Sequence, residues 1–465
     1  MNWCEEELKD IDLGDKRLDK RCIQLLSSFS NQPDKSIPAN CRTWSETIAA
    51  YRFLSNDKVT PKKIMAPHLS SLKKRAKAEK VILAIQDTSE LNYSNHSAME
   101  GIGPLSREKH RGLLIHPTLL FTPDKLCLGI LDIFKWHRDY LKGEEKKGLH
   151  YNLPIEQKES NRWLESYRKT QEITDEFPES TVINIADREG DIYEIFLEHD
   201  ETQSKNKCEY LIRACQNRCV MPVADDVPGK LQEQVSATPV LGELKFQTPS
   251  GRGKKSRTVR QSVQTTELIL QPPKSRRPRT KMPTVKVTAI LAKEIDVPTE
   301  EEPVTWLLLT SLKIKNFTQA VQVIDYYLCR WQIELFFKIL KSGCTIEEMH
   351  LKKEDSINAY LVFYMIISWR ILFLTMLGRS TGEISCNAVF EEYEWQAIYV
   401  FAKRKSPPEK PPPLKEIIII IASLGGFLNR KQDGYPGPKV MWIGLQRSID
   451  IITAWNIFNE SQGYE

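Results

Sequence analysis

TVINIADREGDIYEIFLEH, residues 181–199, divides into three parts. TVINIA is apolar and β-branched, the composition of a buried strand. DREGD crowds charge and a glycine into a sharp turn. The rest places apolar side chains at helical spacing. The strand therefore ends on a carboxylate, Asp187. A charge in that position is costly unless it is solvated or paired. Asp187 either caps the turn or serves chemistry.

The same ending occurs upstream, where VILAIQD (81–87) closes an apolar run on Asp87. HPTLLFT (116–122) and LCLGILDIFKW (126–136) read as two more strands, joined by Pro123-Asp124-Lys125. A polar helical stretch covers about 153–176. Three strands, a helix and another strand open a ribonuclease-H-like α/β core. Alone, each Asp reads more readily as a cap. Together, in this strand order, they point to a shared site.

Residues from about 205 to 304 break the pattern, being rich in Val, Thr, Gln and Pro, with runs such as TVKVTAILA (284–292). The expected fold class is α/β: a ribonuclease-H-like catalytic core with this β-rich insertion, flanked by helical N- and C-terminal domains. The expected domains are 1–60, 61–382 and 383–465. Within the insertion, Arg252, Lys254, Lys255, Arg257, Arg260, Lys274, Arg276, Arg277, Arg279 and Lys281 share their window with one acid, Glu267. Such a run is either a solvated loop or a surface for a phosphate backbone.

The chain has 465 residues, 27% charged and 41% hydrophobic, with a net charge of +5. That balance excludes disordered and fibrous classes and permits a nucleic-acid partner without requiring one. The apolar runs 360–377, with Arg370 inside, and 416–424 read as buried core, so no membrane partner is expected. Met1 is followed by polar, charged residues, so a reducing cytosol is the expected compartment for the ten cysteines. Cys208, Cys215 and Cys219 lie closest together but lack a CxxC pair or a partnering histidine. Free thiols fit better there than zinc.

A helix expected from about Thr318 to Lys341 carries the third acid. From Tyr327, the offsets to Arg330, Glu334 and Lys341 are 3, 7 and 14. At about 100° per residue all four fall within a ~60° sector, along ~21 Å of axis. The ridge runs through a helix otherwise full of Leu, Ile, Phe and Trp. One acid could bind metal while its neighbours hold a DNA backbone; the plainer reading is an Arg330–Glu334 ion pair. Lys16, Arg17, Lys20 and Arg21 likewise share one side of an N-terminal helix, which suits solvent or phosphate.

The spacing Y-x2-R-x3-E-x6-K, complete in YYLCRWQIELFFKILKSG, resembles the YREK signature of bacterial DDE transposases of the insertion-sequence-four type. ADREGDIYE resembles that family's second-acid box, and QDTSELNYS its first. LGDKRLDKR, YRF (51–53) and LGGF with a basic stretch and a Trp extend the likeness over nearly the whole chain. The resemblance implies a metal triad of Asp87, Asp187 and Glu334, holding two Mg²⁺ or Mn²⁺ ions. It implies DNA contacts from Tyr327, Arg330, Lys341, Arg188, Arg213 and Arg218, and end recognition through Arg17 and Arg21. Trp306, 21 residues before Tyr327, would stack on a flipped base; without the resemblance it reads as a core Trp. Glu334 lies 147 positions after Asp187, more than a bare ribonuclease-H-like core needs, and the surplus corresponds to the family's β-rich insertion. Two departures are the proline-rich 406–413 and Cys215, which stands where a basic residue is expected.

The implied activity is cut-and-paste transposition by a cytoplasmic, nucleoid-associated bacterial protein, acting as a homodimer on transposon ends and target DNA. Two alternatives are a nuclease without strand transfer and a catalytically silent DNA-binding relative. A glycosidase using paired carboxylates would have no need of the Arg/Lys ridge.

Overall fold

The computed structural model describes residues 3–139, 153–222, 227–248, 256–273, 282–299 and 301–461. Five strands form the core sheet or flank its first turn: β1 (Val81–Gln86), β2 (Ser89–Asn92), β3 (Gly103–Pro104), β4 (Arg111–Phe121) and β5 (Cys127–Trp136). After a helix come β6 (Thr181–Ala186) and β7 (Glu209–Arg213). The later strands are β8 (Cys219–Pro222), β9 (Gly229–Lys230), β10 (Gly242–Gln247), β11 (Thr258–Leu270), β12 (Val285–Ile295) and β13 (Thr305–Thr310).

β5, β4 and β1 are successively antiparallel. β6 then runs parallel to β1, and β7 parallel to β6. This is the ribonuclease-H arrangement expected from the sequence. One boundary differs. β7 falls within the stretch assigned to the insertion, yet it is a core strand, and β13 pairs with it directly. β12 and β11 continue outward from β13, so the inserted strands widen the core sheet rather than form a separate body. The reason is chemical: β7's outer edge carries unpaired backbone groups, and β13 satisfies them.

The helices are α1 (Trp3–Glu7), α2 (Lys16–Asn31), α3 (Ile37–Asn40), α4 (Trp44–Leu54), α5 (Pro61–Ala76), α6 (Asn161–Thr174), α7 (Tyr193–Glu201) and α8 (Leu231–Ser236). Then follow α9 (Phe317–Leu328), α10 (Trp331–Lys338), α11 (Glu354–Ser380), α12 (Glu392–Lys403), α13 (Leu414–Leu424) and α14 (Pro438–Ser461). Asp15, Thr43, Thr60 and Asn316 each accept a backbone N–H at a helix start, which fixes where α2, α4, α5 and α9 begin.

α11 has the length and apolarity of a membrane span, but it is buried inside the protein. It packs against α2, α5, β5 and α13, so one rod joins the N-terminal helices, the sheet and the C-terminal helices. The N-terminal helices are also tied down by charge. Glu7 on α1 is buried and accepts both Arg75 Nη1 at 2.8 Å and Nη2 at 3.0 Å. His68 Nδ1 donates to the same carboxylate at 2.6 Å, while Ile130 N donates to its Nε2 at 2.9 Å. Those partners fix a neutral imidazole, and burial holds its pKa below the ordinary value.

Candidate active site

β1 and β6 pair in parallel with Ile85 opposite Ile185, so Asp87 and Asp187 leave the same sheet edge side by side. Asp87 Oδ1 accepts Thr88 N at 2.7 Å. Asp187 Oδ1 accepts Glu189 N at 2.8 Å and caps the tight turn Arg188–Gly190. The capping reading of Asp187 is therefore realised in the same geometry that brings it beside Asp87. Burial pushes the Asp87 carboxyl up to about 6, and the charges of Asp187 and Glu334 push the same way. Arg330 opposes them.

Arg330 joins the first and third acids. Its Nη1 donates to Asp87 Oδ2 at 3.0 Å and its Nη2 to Glu334 Oε1 at 3.0 Å. The Arg330–Glu334 ion pair expected as the plainer reading exists, and the same guanidinium reaches across to the strand end. Glu334 faces outward, with its side chain 43% exposed.

The helix carrying these residues is not continuous. α9 stops at Leu328, and Arg330 N bonds Tyr327 O, Gln332 N bonds Cys329 O and Ile333 N bonds Arg330 O, each three residues back. α10 follows, and Ile339–Gly343 widens into π geometry around Lys341. The even 100° spacing assumed from sequence is thus replaced by a tightened joint at Arg330 and a widened turn at Lys341.

Tyr327 is buried, and burial raises its hydroxyl pKa; Arg330, Arg213 and Asp187 all act on it. Lys341 is half-buried, its ammonium pKa lowered by burial, with Glu347 and Glu90 supplying opposite charge. Arg188 is exposed. Arg213 Nη2 donates to Thr305 O at 3.2 Å. Trp306 is half-buried on β13 and stacks on Phe246, with ring centroids 5.5 Å apart and planes at 18°. Arg17 is 92% exposed beside Asp15, and Arg21 is half-buried on α2.

One sequence expectation needs correction. Arg218, expected to touch DNA, is buried against Asp191. Its Nε and Nη2 reach Asp191 Oδ1 at 3.0 and 2.7 Å, and Nη2 also donates to Asp191 O at 2.6 Å. A guanidinium so enclosed has no free face for a phosphate. Two residues of the basic run in the insertion are described. Arg257 is paired with Glu294, and Arg260 with Glu243 at 2.9 Å and Asp296 at 2.7 Å. Arg252, Lys254, Lys255, Lys274, Arg276, Arg277, Arg279 and Lys281 lie outside the described residues.

Some residues of the site carry no sequence signal. Asp191 stands inside ADREGDIYE, where nothing in the sequence assigns it a role; it also accepts the N–H groups of Cys215 and Gln216, pinning the strip after β7 to the turn after β6. Arg162, in the first turn of α6, is buried and bonded to Thr88 and Glu189 without any recognisable motif.

The donor set is chemically suited to hard divalent cations: three carboxylates, one of them raised by burial and then by its like-charged neighbours. Among the described residues no three acid, histidine or cysteine side chains stand close enough to enclose an ion, and Arg330 bonds both Asp87 and Glu334. A cation there would relieve the repulsion that Arg330 now offsets.

Three family models match the chain. Transposase DNA-binding covers residues 1–59, the transposase DDE domain residues 132–370, and the transposase Tn5 dimerisation domain residues 366–461. Among solved structures, a cryo-EM structure of the piggyBac transposase synaptic complex with hairpin DNA aligns over 97% of this chain and 81% of that one. The identity is 10% and the TM-score 0.34, too loose a likeness to argue from.

Proposed function

This chain belongs to the DDE transposase family, and from that premise we propose that it is a cut-and-paste transposase whose Asp87, Asp187 and Glu334 are the metal-binding triad. The family assignment itself makes it a DNA transposase with DNA-binding and dimerisation domains. The observation that carries the finer reading is Arg330, which bridges Asp87 to Glu334 beside Asp187.

A pair of Mg²⁺ or Mn²⁺ ions would lower the pKa of an attacking oxygen and neutralise charge on the leaving one. The carboxylates of Asp87, Asp187 and Glu334 would hold them. Arg330 keeps the first and third acids within one guanidinium's reach before loading. Tyr327, Lys341, Arg188 and Arg213 would grip phosphates around the scissile bond, and the exposed part of Trp306 would receive a displaced base. Hydrolysis of one strand frees a 3′-OH. That hydroxyl attacks the opposite strand, giving a hairpin, and a second water reopens it. The 3′-OH then attacks target DNA. Each step is an in-line displacement at phosphorus, so one site serves all four.

In the proposed assembly, residues 1–60 hold an end through Arg17 and Arg21, residues 61–382 cut, and residues 383–465 join two copies. Each copy cuts the end its partner holds. A soluble protein of the bacterial cytoplasm and nucleoid fits that work.

The test uses purified protein, Mg²⁺ and linear DNA bearing the element's own terminal repeats, with a chelator control. Hairpin-ended fragments and joined products support the reading. Nicking alone replaces it with a nuclease, and end binding without cleavage in either Mg²⁺ or Mn²⁺ with a silent relative.

Salt dependence separates the arginines. Arg188→Ala is expected to weaken binding and flatten the log affinity–log salt slope by ~0.9, the share of one phosphate. Arg218→Lys is expected to leave that slope unchanged. Instead it should lower stability by about 1–2 kcal/mol, because an ammonium cannot reproduce the fork on Asp191. Fluorescence anisotropy at several salt concentrations, with thermal unfolding alongside, reads both.

A further inference from the structure

We propose that Arg162 is a positioning residue that fixes the two aspartates relative to each other; this rests on the reading of Asp87 and Asp187 as metal ligands. Its guanidinium is buried and each of its nitrogens has a different partner. Nε donates to Thr88 Oγ1 at 2.8 Å, Nη1 to Glu159 O at 2.7 Å, and Nη2 to Glu189 Oε2. Thr88 and Glu189 are the residues whose backbone N–H groups hold the Asp87 and Asp187 carboxylates. One rigid fork therefore ties together the two turns that present the acids. The rings of Trp136 and Trp163 flank it at 5.3 and 5.6 Å from Cζ.

The Thr88 hydroxyl accepts from Arg162, so its own proton points to His116 Nδ1 at 2.8 Å. His116 Nε2 then donates to Gln86 Oε1 at 2.8 Å, and Gln86 Nε2 to Asn184 Oδ1 at 2.6 Å. Asn184 Nδ2 donates to Thr170 Oγ1 at 2.9 Å, and Thr170 to Ser166 O at 2.8 Å. Every donor has one acceptor, and the chain returns to α6, where it began. It crosses β4, β1 and β6 inside the protein, with His116, Gln86, Asn184 and Thr170 all buried. A closed, directional set of buried bonds resists the sliding of β1 against β6 that would part the aspartates.

The experiment is Mn²⁺ titration of DNA-free protein by electron paramagnetic resonance, with circular dichroism confirming the fold and end binding measured separately. Arg162→Lys keeps the charge but loses the fork. Thr88→Val keeps the shape but loses the hydroxyl, and it carries the test if the Arg162 variant fails to fold. Both are expected to weaken Mn²⁺ affinity about 10–100-fold, the range for partners that orient metal ligands, with end binding unchanged. Affinity within twofold of wild type in a folded variant overturns the brace. Asp87→Ala separates the premise. If it too leaves Mn²⁺ binding unchanged, the metal-ligand reading fails, and the brace with it. If it abolishes binding while Arg162→Lys and Thr88→Val do not alter it, only the brace fails.

Discussion

Glu334→Ala is expected to reduce end cleavage and joining by at least ~10³-fold while leaving end binding intact, and Asp87→Ala to do the same. Neutralising charge at a reacting phosphate contributes several kcal/mol, and each 1.4 kcal/mol is tenfold in rate. Losing about 4 kcal/mol therefore removes about three decades. Glu334 lies on the outer, exposed side of α10, so its removal should not disturb the core. Product formation on end-bearing DNA, beside a gel-shift control, measures both expectations. Residual cleavage within tenfold of wild type in Glu334→Ala would sink the triad.

The same site should be a liability when no metal is bound. Asp87's folded pKa of about 6 lies above its ordinary 3.8. A carboxyl raised in this way favours the fold below its unfolded pKa, and that contribution is lost as pH rises through the folded value. Asp87→Asn is therefore expected to raise the melting temperature of chelator-treated protein at about pH 8, with the gain shrinking toward about pH 4. Scanning calorimetry at the two pH values reads the sign. A destabilised Asn variant at the higher pH would contradict the burial of the Asp87 carboxylate beside its like-charged neighbours.

Sequence reading reached the aspartates because an apolar strand closing on a carboxylate is a conflict visible in one dimension. It reached Arg330 and Glu334 through spacing. It failed where partners meet only in three dimensions. Arg260 has no acid nearer along the chain than Glu267, yet it lies on β11 opposite Ile295 of β12, and strand pairing delivers Asp296 and Glu243 to it. The resemblance gives Arg218 a DNA contact, and its burial is not visible along the chain because Asp191, its partner, stands 27 positions earlier. The joint at Arg330 was also hidden. Neither glycine nor proline marks it, and the three-back hydrogen bonds accompany the reach of Arg330 toward Asp87. Arg162 had no signal at all, since a brace is defined by the turns it connects.

How firmly the N-terminal helices sit on the core decides whether a held end and the cutting site move together. Glu7→Ala is expected to lower stability by about 3–5 kcal/mol, the usual loss when one member of a buried ion pair is removed. The variant leaves Arg75 with Nη1 and Nη2 unpaired and His68 without its acceptor. Arg75 would keep only its bond to Leu128 O and its place 4.3 Å from the Trp369 ring centroid. The loss should be local first. Hydrogen exchange across α1 and α5 should quicken in Glu7→Ala before the sheet is affected. The pH dependence has the opposite sign to that of Asp87. His68, Arg75 and their hydrogen bonds overcome burial and hold Glu7 down to about 2, against an ordinary 4.5. Its stabilisation is therefore complete above 4.5 and is lost as pH falls through about 2. The gap between wild type and Glu7→Ala should narrow over that window. Equal protection of α1 in both proteins at neutral pH would mean that α11, not the Glu7 cluster, fastens the N-terminal helices to the sheet.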